Sequence, residues 1–559
     1  MCVVLNPMSN LSIQLTTRLM IMGLTIVPSQ TLSRRVISAF LSVLITPLFQ
    51  SKSVLAQVSP YCQLSSEQIT FKESLRLAAN NSPEAQKQYE DTLTQHAQAV
   101  FQCRRQSWLK DQAIWLRLYP CDAQPGAIDQ ILDDLVNRGY NKVYLEVFYD
   151  GQVLLPVSDN NTPWPSVLRS PGTETVDLFA EAVQKGRRRG LQVYAWAFLL
   201  NYGYTYTLLP DRQNVLARNG NGETTVTAIA GGSNSDDFGE SYTNQGFVDP
   251  YNPQARQDYQ TLLNAILSRR PQGVLFDYVR YPKGLGGASV AAKVKDLWIY
   301  GEASQQAFLQ RANNDRGQEF IRRFLRQGYL TETDFKQIDT LFPAAKNPNS
   351  EAKDPNSEAK DSNSEAKDTN SEAKNPNSEA KPEQLWQDEK ALTPLNALPS
   401  MGESLQQQLW RLSVAHAHQG ILEFLGLASQ TVQQRGISAG AVFFPEGNRR
   451  IRQQGFDSRL QPWNQFSTRL EWHPMSYGVC GDTSCIVSQV QTVLNQAPSG
   501  VKIIPALAGD WGKAFNNRPS LENQMQDIHN VAPQINAISH YSYDWQNPEF
   551  TRQRKFCQR

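Results

Sequence analysis

Short apolar runs that end in polar or aromatic residues alternate along this chain with longer amphipathic stretches. Gly273-Val274-Leu275-Phe276-Asp277-Tyr278-Val279-Arg280-Tyr281-Pro282 is the clearest. An apolar strand leads into a carboxylate and an arginine, and a proline closes it. Similar runs end at Glu146 to Gly151, at Pro445-Glu446 and at Gly509-Asp510-Trp511. The pattern predicts eight strands: Ala113–Leu118, Lys142–Phe148, Gln192–Phe198, Gly273–Asp277, Ser438–Phe444, Arg469–Met475, Val501–Leu507 and Ala537–Tyr541. Helices are predicted between them at Pro125–Arg138, Val176–Arg189, Asn252–Arg269, Glu302–Gln327, Ser404–Arg435 and Cys485–Gln496. Gly139, Gly190 and Gly436 serve as helix stops. Eight strands with interleaved helices predict an α/β fold of the (β/α)8, or TIM-barrel, type. The alternative, a doubly wound open sheet binding a nucleotide, lacks a Gly-x-Gly-x-x-Gly after an early strand.

Before the barrel, helices near 66–79 and 83–105 predict a hairpin, with Ser82-Pro83 opening the second helix. Residues 347–381 are five heptads of the type Asn-Pro-Asn-Ser-Glu-Ala-Lys. Their one apolar residue is Ala, so they form neither coiled coil nor core and read as a disordered insert. The expected organisation is a leader over 1–56, a hairpin extension over 57–111 and a first half-barrel over 112–345. A low-complexity insert over 346–390 and a second half-barrel over 391–559 follow.

The leader reads as an export signal. Arg34-Arg35 precede an apolar run from Val36 to Phe49, and Ser53-Val54-Leu55-Ala56-Gln57 offers a small-residue cleavage site. The run is short for a membrane span. An uncleaved N-terminal anchor is the competing reading, and the length of the leader points to a start downstream, at Met20 or Met22. Cysteine usage agrees with export to the periplasm, cell envelope or extracellular space. Of seven cysteines, Cys2 falls in the leader and six remain: Cys62, Cys103, Cys121, Cys480, Cys485 and Cys557. Cys480 and Cys485 are close enough to staple one loop. Cys62 and Cys103 face each other across the hairpin, which leaves Cys121 for Cys557. Their spacings do not fit a zinc site.

With 559 residues, 40% hydrophobic and 19% charged, the chain can bury a large core. Its net charge of +1 supplies no field for nucleic acid or an anionic membrane. The 11 Trp and 20 Tyr suit the apolar faces of sugar rings, although most of such residues are ordinarily core.

Several segments together resemble the glycosyl-hydrolase-like 10 family, formerly a domain of unknown function. They are Ile114-Trp115-Leu116-Arg117, the strand ending Asp150-Gly151, Arg189-Gly190-Leu191-Gln192-Val193-Tyr194-Ala195-Trp196, Val248-Asp249-Pro250-Tyr251-Asn252-Pro253 and the Asp277 segment. Leu409-Trp410-Arg411 is a looser match. The chain departs from the pattern on strand two, where Glu146 and Tyr149 replace more basic or small residues. The resemblance implies a TIM barrel and glycoside hydrolase activity on polysaccharide or peptidoglycan-type glycan.

That chemistry needs two carboxyl groups. Asp277 and Glu446, ending strands four and five, are the expected nucleophile or base and acid, with Glu146 as reserve acid. The order with Asp510 on strand seven is similar to that of α-amylase-like barrels, an analogy only. Arg280 is placed to keep Asp277 ionised. Asp150, Trp196, Asn201, Asp249, His473, Tyr477, Asp510, Trp511, His540, Tyr541 and Asp544 are candidate sugar contacts, and Trp545 a further stacking platform. His416 and His418 lie two apart on a helix and point in different directions. No metal, cofactor or phosphate loop is expected, and the chain reads as a monomer. The opposing reading is a barrel that binds glycan or scaffolds the envelope without hydrolysis.

Overall fold

The structure, a computed structural model, describes residues 61–229, 245–343, 385, 404–451 and 455–556. The leader, the heptads and Cys557 lie outside the described residues. So does the rest of the 346–390 segment apart from Leu385, which packs on the core and accepts the Asn313 N–H at 2.8 Å.

Eight parallel strands close into a barrel. They are β1 Asp111–Leu116, β2 Lys142–Tyr149, β3 Gln192–Phe198, β4 Gly273–Asp277, β5 Ser438–Phe443, β6 Glu471–Ser476, β7 Ala506–Ala508 and β8 Ala537–Tyr541. Each pairs with the next, and β8 returns to β1 through Asp111↔Ala537 to Ile114↔His540. The predicted strands five and six shift by one or two residues. The predicted strand over 501–507 contracts to Ala506–Ala508, because Pro505 brings no amide hydrogen to the ladder and only an isolated Trp472↔Ile503 bridge precedes it.

Around the barrel run α3 Ala127–Asn137, α4 Leu178–Arg188, α5 Pro253–Ser268, α6 Leu405–Gln433, α7 Ser484–Gln496, α8 Leu521–Val531 and α9 Pro548–Lys555. Gly139, Gly190 and Gly436 adopt φ of 78°, 71° and 70°, the left-handed geometry that ends α3, α4 and α6. The single helix expected over 302–327 is two, Glu302–Leu309 and Asp315–Gln327. Asn314 interrupts it, its side chain accepting the Gly317 N–H at 2.8 Å as an N-cap.

The hairpin consists of α1 Ser66–Ala78 and α2 Pro83–Gln106. Ser65 and Gln68 form a capping box on α1, and Ser82 caps α2 ahead of Pro83. Cys62 and Cys103 are bridged with Cα atoms 5.6 Å apart, as the sequence predicts. Arg104 carries the hairpin onto the barrel. Its Nη2 donates to Tyr61 O at 2.7 Å, Gly139 O at 2.6 Å and Gln112 Oε1 at 2.7 Å. The Cys480–Cys485 staple is also present, with Cα atoms 6.1 Å apart. Cys121 is disulfide-bonded, while its expected partner Cys557 lies outside the described residues. No described helix is long and apolar enough to cross a membrane.

Candidate functional site

Alternation along the strands decides what faces the barrel axis. On β6, Glu471, His473 and Met475 share one face and Tyr477 continues it. On β3 the corresponding series is Tyr194, Trp196 and Phe198. The upper members gather at the C-terminal mouth. There a small cavity of about 60 Å³ is lined by Asp277 and Arg280 with the rings of Trp115, Trp196, Phe198, Tyr278, Phe444, Tyr477 and Tyr541. Beside it lies a larger cavity of about 310 Å³, with Arg117, Glu146, Asp544 and Lys555 in its walls. Trp115, Trp196 and Tyr541 line both, so the two form one aromatic cleft.

Asp277 lines the smaller cavity. Its Oδ2 accepts the Trp196 indole N–H at 3.1 Å and its Oδ1 accepts the Tyr278 N–H at 2.6 Å. Tyr278 is held at φ 51°, a left-handed conformation that a non-glycine residue adopts at a cost of about 1–3 kcal/mol. The strand therefore ends in a sharp turn just past the carboxylate. The Arg280 guanidinium lies 4.4 Å from the Tyr278 ring centre and donates to Tyr281 O at 3.0 Å.

Glu146 is fully buried and forms a two-pronged ion pair with Arg117, its Oε2 meeting Nε and its Oε1 accepting from Nη2 at 3.1 Å. Register places Glu146 beside Trp196 on the neighbouring strand. Asp544 accepts from the Tyr119 hydroxyl and, at 3.1 Å, from Thr551 Oγ1. Trp545 meets Tyr541 edge-on at 5.1 Å.

The expected acid is placed elsewhere. Glu446 does not line the Asp277 cavity. Phe444 to Gly447 form a turn, with the Gly447 N–H on Phe444 O at 2.9 Å, and the Glu446 carboxylate accepts from Gln489 on α7 instead. Strand alternation likewise corrects His540. Its neighbour Tyr541 faces the cleft, so His540 faces outward, 2.9 Å from the Tyr140 hydroxyl and 3.3 Å from Met525 Sδ. Trp511 joins that outer cluster, donating to Tyr140 Oη at 3.1 Å and meeting Tyr61 edge-on.

His473 is buried inside the barrel below the mouth, edge-on to Tyr144. Its ring nitrogens make no hydrogen bond among the described residues, Glu471 being 3.7 Å away. Burial lowers its pKa, with Glu471 pulling the other way.

Asn201 accepts the N–H groups of Gly203 and Gly246, at 3.2 and 3.0 Å. Asp249 accepts those of Tyr251 and Ser304, at 3.0 and 2.9 Å, and burial pushes it up to about 6. Asp510 accepts the Trp511 N–H at 2.8 Å and pairs with Lys513 at 3.0 Å. Asp150 occupies the turn after β2 at φ 47°; burial raises its pKa, against the pull of Arg117. None of these four lines either cavity of the cleft.

Sequence reasoning passed over Arg117, Tyr119, Phe444 and Met475 as site residues. Their signal was the two-residue alternation running from Trp115, Val442 and His473. Among the described residues no group of His, Cys, Asp and Glu is arranged to hold a metal. His416 is packed between the rings of Tyr251 and Phe308, at 4.4 and 4.7 Å.

No family model matches the chain. No curated protein matches it either. Among solved structures it is similar to a GH20 exo-β-N-acetylglucosaminidase from Vibrio harveyi, at 8% identity and a TM-score of 0.35, over 80% of this chain and 53% of that one. It is similar to a β-galactosidase from the psychrophilic Marinomonas ef1, at 9% and 0.39, over 78% and 54%. It is also similar to the spore cortex-lytic enzyme of Bacillus megaterium, at 8% and 0.31, over 77% and 70%. The chain thus spans about half the length of the first two. At TM-scores below 0.5 these likenesses have no bearing on what the chain does.

Proposed function

We propose that this barrel is an exported glycoside hydrolase-like enzyme of the glycosyl-hydrolase-like 10 type, acting on envelope or extracellular polysaccharide. The observation that carries the reading is Asp277 in the wall of an aromatic cleft, with a second carboxyl group, Glu146, in the adjoining cavity. Aromatic walls suit sugar rings. The disulfides favour an oxidising compartment.

In this mechanism Asp277 attacks the anomeric carbon or takes a proton from the attacking water. The glycosidic C–O bond breaks, and a proton passes from Glu146 to the leaving oxygen; where Asp277 has attacked, water then displaces its carboxylate and returns a proton to Glu146. A donor must carry a proton, so Arg117 has to leave Glu146, and Glu146 has to take up a proton from solvent, when glycan fills the larger cavity. The guanidinium already lies 4.4 Å from the Tyr149 ring while it pairs with Glu146, and that contact can hold it when the pair opens.

The same ion pair favours a second reading, a barrel that binds glycan without cleaving it. Residues 57–559, assayed on envelope glycans by reducing-end detection, separate the two. Asp277→Asn and Glu146→Gln should each lower kcat by roughly 10²–10⁴-fold, and a substrate with a good leaving group should partly rescue only Glu146→Gln. A wild-type protein that binds these glycans and releases no reducing ends establishes the binding reading instead.

A further inference from the structure

Away from the barrel mouth, a cavity of about 340 Å³ lies between α1 of the hairpin, α3 and the C-terminal helices. The carboxylates of α3 in its wall are already saturated. Asp134 takes Arg138 Nε at 3.1 Å on each oxygen, the Tyr543 hydroxyl at 3.0 Å and the Asn547 amide at 3.2 Å. Asp133 takes Arg189 Nε at 2.8 Å and the Tyr89 hydroxyl at 2.7 Å.

The cations of α1 are not matched in this way. Lys72 is 1% exposed. Among the described residues its ammonium reaches only the Asp133 main-chain oxygen at 3.3 Å and the Asp133 carboxylate at 3.9 Å. Among the described residues Arg76, one turn further along the same face, meets only Glu73 at 3.9 Å; Glu73 is also in the cavity wall, with its side chain mostly in solvent. Asn137 Oδ1, also in the wall, is buried without a hydrogen-bond partner.

An ammonium this deep with such long contacts is costly, and a buried acceptor without a donor adds about 1–3 kcal/mol. Burial pushes Lys72 down to about 8; Asp133 pulls against it and Arg189 adds to the fall. An anion with a hydroxyl of its own answers both deficits. Its charged oxygens take Lys72 and Arg76, and its hydroxyl donates to Asn137.

We propose that this cavity binds a small oxyanion of the phosphate class, held by Lys72 and Arg76 at the seam between hairpin and barrel. Because both bodies contribute to the wall, the bound ion fastens one to the other. The site is separate from the cleft and does not depend on the hydrolase reading.

The test uses the full chain and inorganic phosphate, with chloride at matched ionic strength as reference. Calorimetric titration should show saturable binding, and Tm should rise with phosphate but not with chloride. Lys72→Met should abolish both effects. Arg76→Gln, at a site that tolerates exposure, should weaken binding by about tenfold, the worth of a charge-assisted contact. It decides the matter should Lys72→Met fail to fold. Lys185→Gln, outside the cavity, should behave as wild type. Absence of a phosphate effect on the wild type overturns the proposal, as does an unchanged effect in Arg76→Gln.

Discussion

The indole N–H of Trp196 on β3 holds the Asp277 carboxylate on β4 at 3.1 Å. One hydrogen bond thus joins two neighbouring strand ends under the cleft. Trp196 is almost fully buried, edge-on to Trp115 at 4.7 Å. Trp196→Phe keeps most of that packing and deletes the donor, so it should destabilise by about 1–3 kcal/mol in urea unfolding. If Asp277 attacks, kcat should fall while the fold, followed by circular dichroism, persists. Full activity in this variant would show that the alignment of Asp277 is set elsewhere.

Glu446→Gln should leave glycan turnover unchanged, because its carboxylate is turned toward Gln489. Glu146→Gln removes one half of a buried ion pair and should cost roughly 3 kcal/mol of stability. Combining it with Arg117→Met should regain much of that loss, since the unpaired charge goes too. Activity should stay low in both. An active double variant would exclude Glu146 from the chemistry.

The two described disulfides should differ in weight. Cys62–Cys103 spans 41 residues, for which loop closure predicts about 4 kcal/mol. Cys480–Cys485 spans five, which predicts about 2 kcal/mol. Cys62→Ala/Cys103→Ala should lower Tm markedly. It should raise hydrogen exchange in α1 and α2, where release of the hairpin is local. Cys480→Ala/Cys485→Ala should change exchange chiefly between Gly478 and α7. Equal losses in both would point to strain or residual unfolded structure.

Stability should fall as pH drops below 6.5. Burial lowers His96 and His418 to about 4 and His540 to about 3. Each folded pKa lies below its unfolded value. The stability these neutral rings provide is therefore complete above pH 6.5 and lost as the unfolded chain gains protons below it. Asp249, raised to about 6, acts in the opposite sense between pH 6 and 3.8. Burial lowers His416 and His473 as well, and raises Asp150 as it does Asp249. Five histidines thus oppose two carboxylates, and the net is a loss of at least roughly 2 kcal/mol per pH unit near pH 5.5. Urea midpoints at successive pH values should show it, and His540→Gln should flatten the slope. A constant midpoint from pH 7 to 5 would contradict the burial of these rings.

Local pattern by itself determined the order of the eight strands, the hairpin, the helix-ending glycines and the Cys480–Cys485 staple, because period, caps and short spacings are properties of neighbouring residues; the hairpin in turn set Cys62 opposite Cys103. It also singled out Asp277, Trp196, Tyr477 and Tyr541, which follow apolar runs directly and so reach the mouth. Tertiary structure alone decided which polar groups share a cavity. Glu446 keeps the strand's phase in sequence, yet a turn at Pro445 carries its carboxylate to α7. His540 and Tyr541 are adjacent, and barrel closure chose which of them faces the axis. Arg117, one residue past β1, pairs with Glu146 on β2, a contact between residues 29 positions apart. Register, turn path and closure are long-range outcomes of packing, and no short window of residues contains them.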